Sequence, residues 1–92
     1  MGFKEKVFSA VKMIPKGETM TYGKVAEIAG NSMAARAVGN ILNKNKNLII
    51  VPCHRVVRSD GRVGGYAGGT KKKIKLLKSE GLEIKSGKII LT

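Results

Sequence analysis

The chain has 92 residues, 42% hydrophobic and 26% charged, with 18 lysines and arginines against 6 acidic residues and a formal charge of +12. This length supports one modest core and excludes a second globular unit, while the apolar fraction excludes a disordered tail. So dense a positive charge attracts polyanions, nucleic acid first, and one cysteine with one histidine rules out an internal disulfide and a four-ligand zinc site. No segment reads as a signal peptide or a membrane span, and with the lone thiol this points to a reducing, intracellular compartment.

Phe3, Val7, Phe8, Val11 and Ile14 recur at helical spacing, which predicts a helix over 3–14 that Pro15-Lys16-Gly17 stops. Thr21 is a good N-cap for a short helix carrying Val25, Ala26 and Ala29 inward and ended by Gly30. Asn31 or Ser32 is predicted to cap the next helix, over 33–43. Ala34, Val38, Ile41 and Leu42 fall on one face of it, and Ser32, Arg36, Gly39, Asn40 and Asn43 on the other. Two short helices joined by a turn of about three residues, the second with a small and polar outer face, read as a helix-turn-helix whose second helix is the reader.

Leu48-Ile49-Ile50-Val51 predicts a short buried strand halted by Pro52, with Cys53 at its exit. Val56 and Val57 resume the apolar pattern. Ser59-Asp60-Gly61 is a turn, and Gly64-Gly65-Tyr66-Ala67-Gly68-Gly69 a loop whose glycines permit close approach of a ligand. A last helix over 70–79 places Ile74 and Leu77 inward and Lys71, Lys72, Lys75 and Lys78 outward, with Gly81 as its stop. Residues 82–92, with a turn at Ser86-Gly87, form a small hairpin like the wing of a winged helix. The fold class is therefore mainly α: a helix-turn-helix or winged-helix-like domain with a short strand before the cysteine and a small C-terminal hairpin.

A thiol of ordinary pKa is mostly protonated at neutral pH, so a nucleophilic cysteine needs a base or a positive field beside it. His54 and Arg55 follow Cys53 directly. Neighbours on a strand point to opposite faces, so a bend after Pro52 has to bring the imidazole round to the sulfur. On local features alone, a buried structural thiol and an ordinary histidine are the commoner readings.

The whole phrase Val51-Pro52-Cys53-His54-Arg55-Val56-Val57 carries more than these local features, with Ala34-Ala35-Arg36-Ala37-Val38-Gly39 before it and Gly64-Gly65-Tyr66 after it. It resembles the C-terminal, active-site domain of the O6-alkylguanine-DNA alkyltransferases, the methylated-DNA-protein-cysteine methyltransferases, and the resemblance runs from about Phe3 to Leu82. It implies DNA repair by direct reversal. Cys53 takes the alkyl group from O6 of guanine, or O4 of thymine, in duplex DNA and keeps it as a thioether, one lesion per molecule, with no cofactor and no metal. By the same resemblance His54 acts through a water as the base, Glu80 orients His54, and Asn45 links the recognition helix to the active-site segment. Tyr22 serves the departing guanine, the backbone of Val56 and the side chain of Tyr66 line its pocket, and Arg36 fills the space left by the extruded base. Ala67 stands where many members carry a hydroxyl near the alkyl group, which bears on tolerance for bulky adducts. Gly39, with Ala35 and Ala37, keeps the recognition helix slim, and the family lays that helix in the minor groove.

The implied partner is double-stranded DNA containing the lesion, bound by a monomer with base flipping and with no membrane involved. Most members carry a further N-terminal domain. Residues 1–14 match the first helix of the catalytic domain, so the expectation is one domain over 1–92 without it. Set against this reading are an alkyltransferase-like lesion-binding protein, in which the acceptor cysteine is typically replaced, a winged-helix transcription factor and a cysteine hydrolase.

Overall fold

The apolar stripe of the first predicted helix folds as α1 (Phe3–Lys12), with Val7, Ala10 and Val11 buried and the chain turning at Met13 to bury Ile14 just beyond. In the computed structural model, which describes residues 2–46 and 50–90, α1 packs on α2 (Tyr22–Ile28), and α2 packs in turn on α3 (Ala35–Asn43). Thr21 caps α2 as predicted, its hydroxyl accepting from the Lys24 amide at 3.1 Å. Gly30 ends it with φ +100°, and the Asn31 amide reaches back to the Ala26 carbonyl.

Two expectations are corrected in the turn between α2 and α3. Six residues, 29–34, join the two helices, not about three, and the second begins at Ala35, not Met33. Neither Asn31 nor Ser32 is its N-cap: Asn31 Oδ1 accepts from the Met33 amide at 3.1 Å, so its side chain closes a local turn and Ala34 stands at the cap. The predicted inner face holds, with Val38 and Leu42 buried and Ala34 and Ile41 half-buried.

The strand expected over 48–51 is corrected at its described residues. Leu48 and Ile49 lie outside the described residues, while Ile50 and Val51 form a turn and a bend. The reason is local: the Val51 carbonyl is taken by the Cys53 amide at 2.7 Å and by the Asn45 side chain at 3.2 Å, which leaves it turned away from any ladder. The short strands lie to either side of that segment in sequence. β1 (Met20–Thr21) pairs in parallel with β2 (Val56–Val57), Met20 opposite Val56 and Thr21 opposite Val57.

Alternation along β2 divides the core in two. Val56 joins the cluster built by α1, α2 and α3 with Val51, Cys53 and Tyr66, and Val57 joins a smaller one with Val63, Leu77 and Ile84. The second cluster rests on α4 (Thr70–Ser79), whose bounds agree with the prediction, and on the hairpin of β3 (Ile84–Lys85) and β4 (Lys88–Ile89). Ser86 and Gly87, at φ +53° and +76°, make the tight two-residue turn that right-twisted strands require. Among the described residues no helix is long and apolar enough to cross a membrane.

The end of α4 fixes the position of Glu80. Gly81 has φ +95°; its amide bonds to the Lys78 carbonyl and the Leu82 amide to the Leu77 carbonyl, the paired closure of a left-handed C-terminal stop. Glu80 is thereby the C-cap residue, held where the helix turns off. A Gly81→Ala substitution is expected to lower stability by about 1 kcal/mol, because a Cβ is strained in that backbone region. Urea unfolding checks this, and an unchanged midpoint would contradict the assignment of the cap.

Candidate active site

Pro52 opens a single 3₁₀ turn, Cys53–Arg55, and its tight repeat sends successive side chains about 120° apart. The sequence phrase is therefore spread in space. Cys53 turns to Asn45, while His54 and Arg55 both reach Glu80.

Asn45 lies just past α3, its amide bonded to the Leu42 carbonyl. Its Nδ2 stands 3.5 Å from Cys53 Sγ and 3.2 Å from the Val51 carbonyl, so the end of the second helix is tied to the thiol segment. Cys53 is only 3% exposed. Burial pushes its thiol above the ordinary range, and the hydrogen bond from Asn45 and the charge of Lys73 draw it part of the way back. The resting sulfur is thus protonated at neutral pH, and the cation that acts on it is Lys73, not Arg55.

Arg55 has another task. Its Nε donates to Glu80 Oε1 at 3.0 Å, its Nη2 to Oε2 at 2.6 Å, and its Nη1 to the Ile14 carbonyl at 2.9 Å. His54 Nε2 stands 3.1 Å from Glu80 Oε2, within ion-pair distance but off the line of a hydrogen bond. His54 Nδ1 is buried with no hydrogen-bond partner among the described residues, and no hydrogen bond joins His54 to the sulfur. Arg55 foremost, and His54 after it, hold the Glu80 carboxyl down at about 2. A carboxylate charged at every working pH stabilises an imidazolium whenever one forms.

Sequence reading passed over Lys73. It is fully buried, and its Nζ donates to the Val56 carbonyl at 2.6 Å and the Gly65 carbonyl at 3.0 Å and stands 3.4 Å from Tyr22 Oη. Burial brings its pKa from 10.5 down to about 8, against the opposing pull of Cys53. A signal existed: Lys73 and Leu77 are four apart, on the face of α4 that turns inward. Lys71, Lys72, Lys75 and Lys78 are exposed, as expected.

Tyr22 begins α2 and, through the pairing of β1 with β2, is fixed beside the thiol segment. Its hydroxyl donates to the Gly65 carbonyl at 3.3 Å. Burial and the nearby Cys53 push its pKa up, with Arg58 opposing. Gly64 has φ +76°, and a Cβ there would lie 3.0 Å from Tyr22 Oη and 3.3 Å from Arg58 Cγ, so only glycine fits.

Tyr22, Arg36, Asn40, Asn43, Arg58 and Gly65 line a cleft of about 520 Å³. Cys53 is not among its walls. Arg36 is exposed on the outer face of α3, as predicted, and Gly39 is half-buried, with room for a Cβ 3.9 Å from the Tyr22 ring. Tyr66 is buried and meets the His54 ring edge-on, centroids 6.2 Å apart. The Val56 carbonyl, expected in the pocket wall, is engaged by Lys73, and Ala67 is exposed.

Residues 2–82 match a family profile described as "6-O-methylguanine DNA methyltransferase, DNA binding domain". A methylated-DNA-protein-cysteine methyltransferase of Methanosarcina acetivorans is 52% identical over 79 residues, 86% of this chain and 51% of that protein. Among solved structures, OGT of Mycobacterium tuberculosis in complex with DNA superposes with a TM-score of 0.82 at 45% identity, covering 87% of this chain and 49% of that one. S. pombe Atl1, in complex with damaged DNA containing O6-carboxymethylguanine, gives 0.86 at 34% identity over 98% of this chain and 88% of its own. The chain spans about half the length of the curated transferases it matches. The profile takes in both helices of the helix-turn-helix, the Cys53 turn and Glu80, and the chain therefore belongs to the 6-O-methylguanine DNA methyltransferase family, in its DNA-binding domain.

Proposed function

We propose that the chain repairs O6-alkylguanine in duplex DNA by transferring the alkyl group irreversibly to Cys53. The observation that carries this reading is the geometry around the thiol: Asn45 on one side, His54 and Arg55 of the same turn both held by Glu80 from the end of α4, and a basic cleft beside Tyr22. The cleft volume lies in the usual range for small-molecule sites, about 300–1,000 Å³.

The target carbon is inaccessible in the base stack, so the nucleotide is rotated out, Arg36 fills the space, and α3 lies in the minor groove. The base enters between Tyr22 and the glycine loop 64–69, which gives way to admit it to the buried sulfur. A water at His54 Nδ1 takes the thiol proton and passes it to the imidazole, and Glu80 stabilises the resulting imidazolium. The thiolate forms a bond to the sp³ carbon as the carbon–oxygen bond breaks, and the electron pair leaves on the guanine. Tyr22 donates to the departing base, and Lys73 holds Tyr22 and the Val56 carbonyl in place while its charge offsets the negative charge on the guanine. The thioether has no carbonyl for water to attack, so each molecule acts once.

Intact-protein mass after incubation with an O6-methylguanine duplex tests this directly. Wild type is expected to gain one methyl group, mapped to Cys53, with no gain on unmodified duplex or in Cys53→Ser. Tight lesion binding with no mass gain would make the chain a lesion sensor, as in the reading by which the thiol is idle.

Glu80 acts through His54, and Glu80→Gln is expected to slow transfer by about tenfold to a hundredfold with lesion affinity kept. The same change removes a partner from Arg55 and lowers stability at pH 7 by roughly 2–3 kcal/mol. Because the folded-state pKa lies below the unfolded one, this stabilisation is present above about 4.5 and lost as pH falls towards 2. Denaturation of the two proteins across that window should show their difference shrinking; a constant gap would sink the assignment.

Lys73 gives a slope of the same sign for a different reason, because burial penalises its charged form. Its folded pKa, about 8, is below the unfolded 10.5, so the unfolded chain holds the extra proton between these values and stability rises with pH across them. Urea unfolding at pH 8 and pH 10 is expected to show a gain of roughly 2 kcal/mol in wild type relative to Lys73→Met. Parallel pH profiles would show the ammonium to be better solvated than its burial indicates.

A further inference from the structure

Two guanidinium groups share the cleft, and base extrusion as proposed employs one of them. Arg36 comes from α3, and Arg58 from the residue just after β2. The backbone under Arg58 is closed tightly: its amide donates to the Arg62 carbonyl at 2.9 Å, and its carbonyl accepts from the Gly61 amide at 3.0 Å. Its side-chain stem lies against Gly64, where Tyr22 Oη also approaches, so the stem is fixed at the edge of the Tyr22 site.

The acid beside this turn makes its contacts with another residue. Asp60 Oδ1 accepts from the Arg62 amide at 3.0 Å, and Oδ2 stands 3.6 Å from Arg62 Nε. Arg58 is in no ion pair among the described residues, and its head is exposed. Two like charges facing one cleft repel unless an anion comes between them. Asp60 also feels the charge of Arg58, but its hydrogen bond and its ion pair go to Arg62, so no acid among the described residues contacts the Arg58 guanidinium.

We propose that Arg58 clamps a phosphate flanking the extruded nucleotide, an inference that rests on the proposed base extrusion. A base that leaves the stack carries its sugar and phosphates to the mouth of the cleft, and the planar fork of arginine matches phosphate oxygens in pairs. Arg36 enters the duplex, and Arg58 holds the backbone outside it. The contact is independent of sequence, so it fixes position without restricting where a lesion is accepted.

The experiment is a binding cycle on the Cys53→Ser protein, so that transfer does not intervene. O6-methylguanine duplexes carry a single neutral methylphosphonate at each phosphate flanking the lesion in turn, and each is measured with and without Arg58→Ala. One position is expected to weaken binding about tenfold in the parent and not at all in the variant, and Arg58→Ala should reduce the salt slope by roughly one charge. Arg58→Lys is expected to keep the salt slope and lose part of the coupling, since it keeps the charge and lacks the fork. If the lesion duplex is preferred but the losses from Arg58→Ala and methylphosphonate add at every position, the clamp is wrong and base extrusion stands. If the parent does not prefer the lesion duplex at all, base extrusion fails and takes the clamp with it.

Discussion

The carboxylate of Glu80 accepts both hydrogen bonds of the Arg55 fork and stands beside His54, and the third donor of Arg55 ties the group to the Ile14 carbonyl beyond α1. Three distant parts of the chain thus meet at one guanidinium: the end of the first helix, the turn bearing the thiol and the end of the last long helix. Backbone conformation serves the same point. Gly81 turns the chain so that Glu80 caps α4, and Gly17, at φ +85°, passes so near that a Cβ would lie 3.2 Å from the Glu80 carbonyl. A carboxylate so heavily engaged is preorganised, and the histidine beside it inherits a fixed orientation.

A second constraint relates the buried sulfur to the basic surface. The β1–β2 pair is only two residues long, yet it sets the first residue of α2 beside the strand after the thiol turn. Asn45 makes the corresponding tie from the end of α3. Both helices of the helix-turn-helix are therefore joined to the thiol segment by hydrogen bonds as well as by apolar packing. The thiol is part of the same cluster as Val25 and Val38, so reactivity and core packing are not separable in this fold.

Much of this was legible in the chain itself, and the exceptions have physical causes. The bounds of α4 and the Ser86-Gly87 turn followed from periodicity and glycine placement, which act locally. Ile50 and Val51 are a turn and a bend, not the end of a strand, because the Val51 carbonyl bonds to a side chain and to an amide two residues on, a competition that hydropathy does not reveal. The start of α3 failed because Asn31 closes its own turn instead of capping the helix. Adjacency of Cys53, His54 and Arg55 suggested one cluster around the sulfur, but a 3₁₀ turn fans them apart. Lys73 was hidden among four other lysines and distinguished only by the phase of Leu77, and Arg58 gained meaning only through its place in the wall of the Tyr22 cleft.

Lys73 occupies a place on α4 where leucine would pack, and its ammonium has three oxygen neighbours at defined distances. Sliding the helix by one turn against β2 would carry that ammonium away from the Val56 and Gly65 carbonyls and into hydrocarbon, whereas a leucine would tolerate the slip. The buried cation thus works as a registration key. It admits a single alignment between the last helix and the rest of the domain, and so sets Glu80, seven residues on, at one fixed height relative to the histidine.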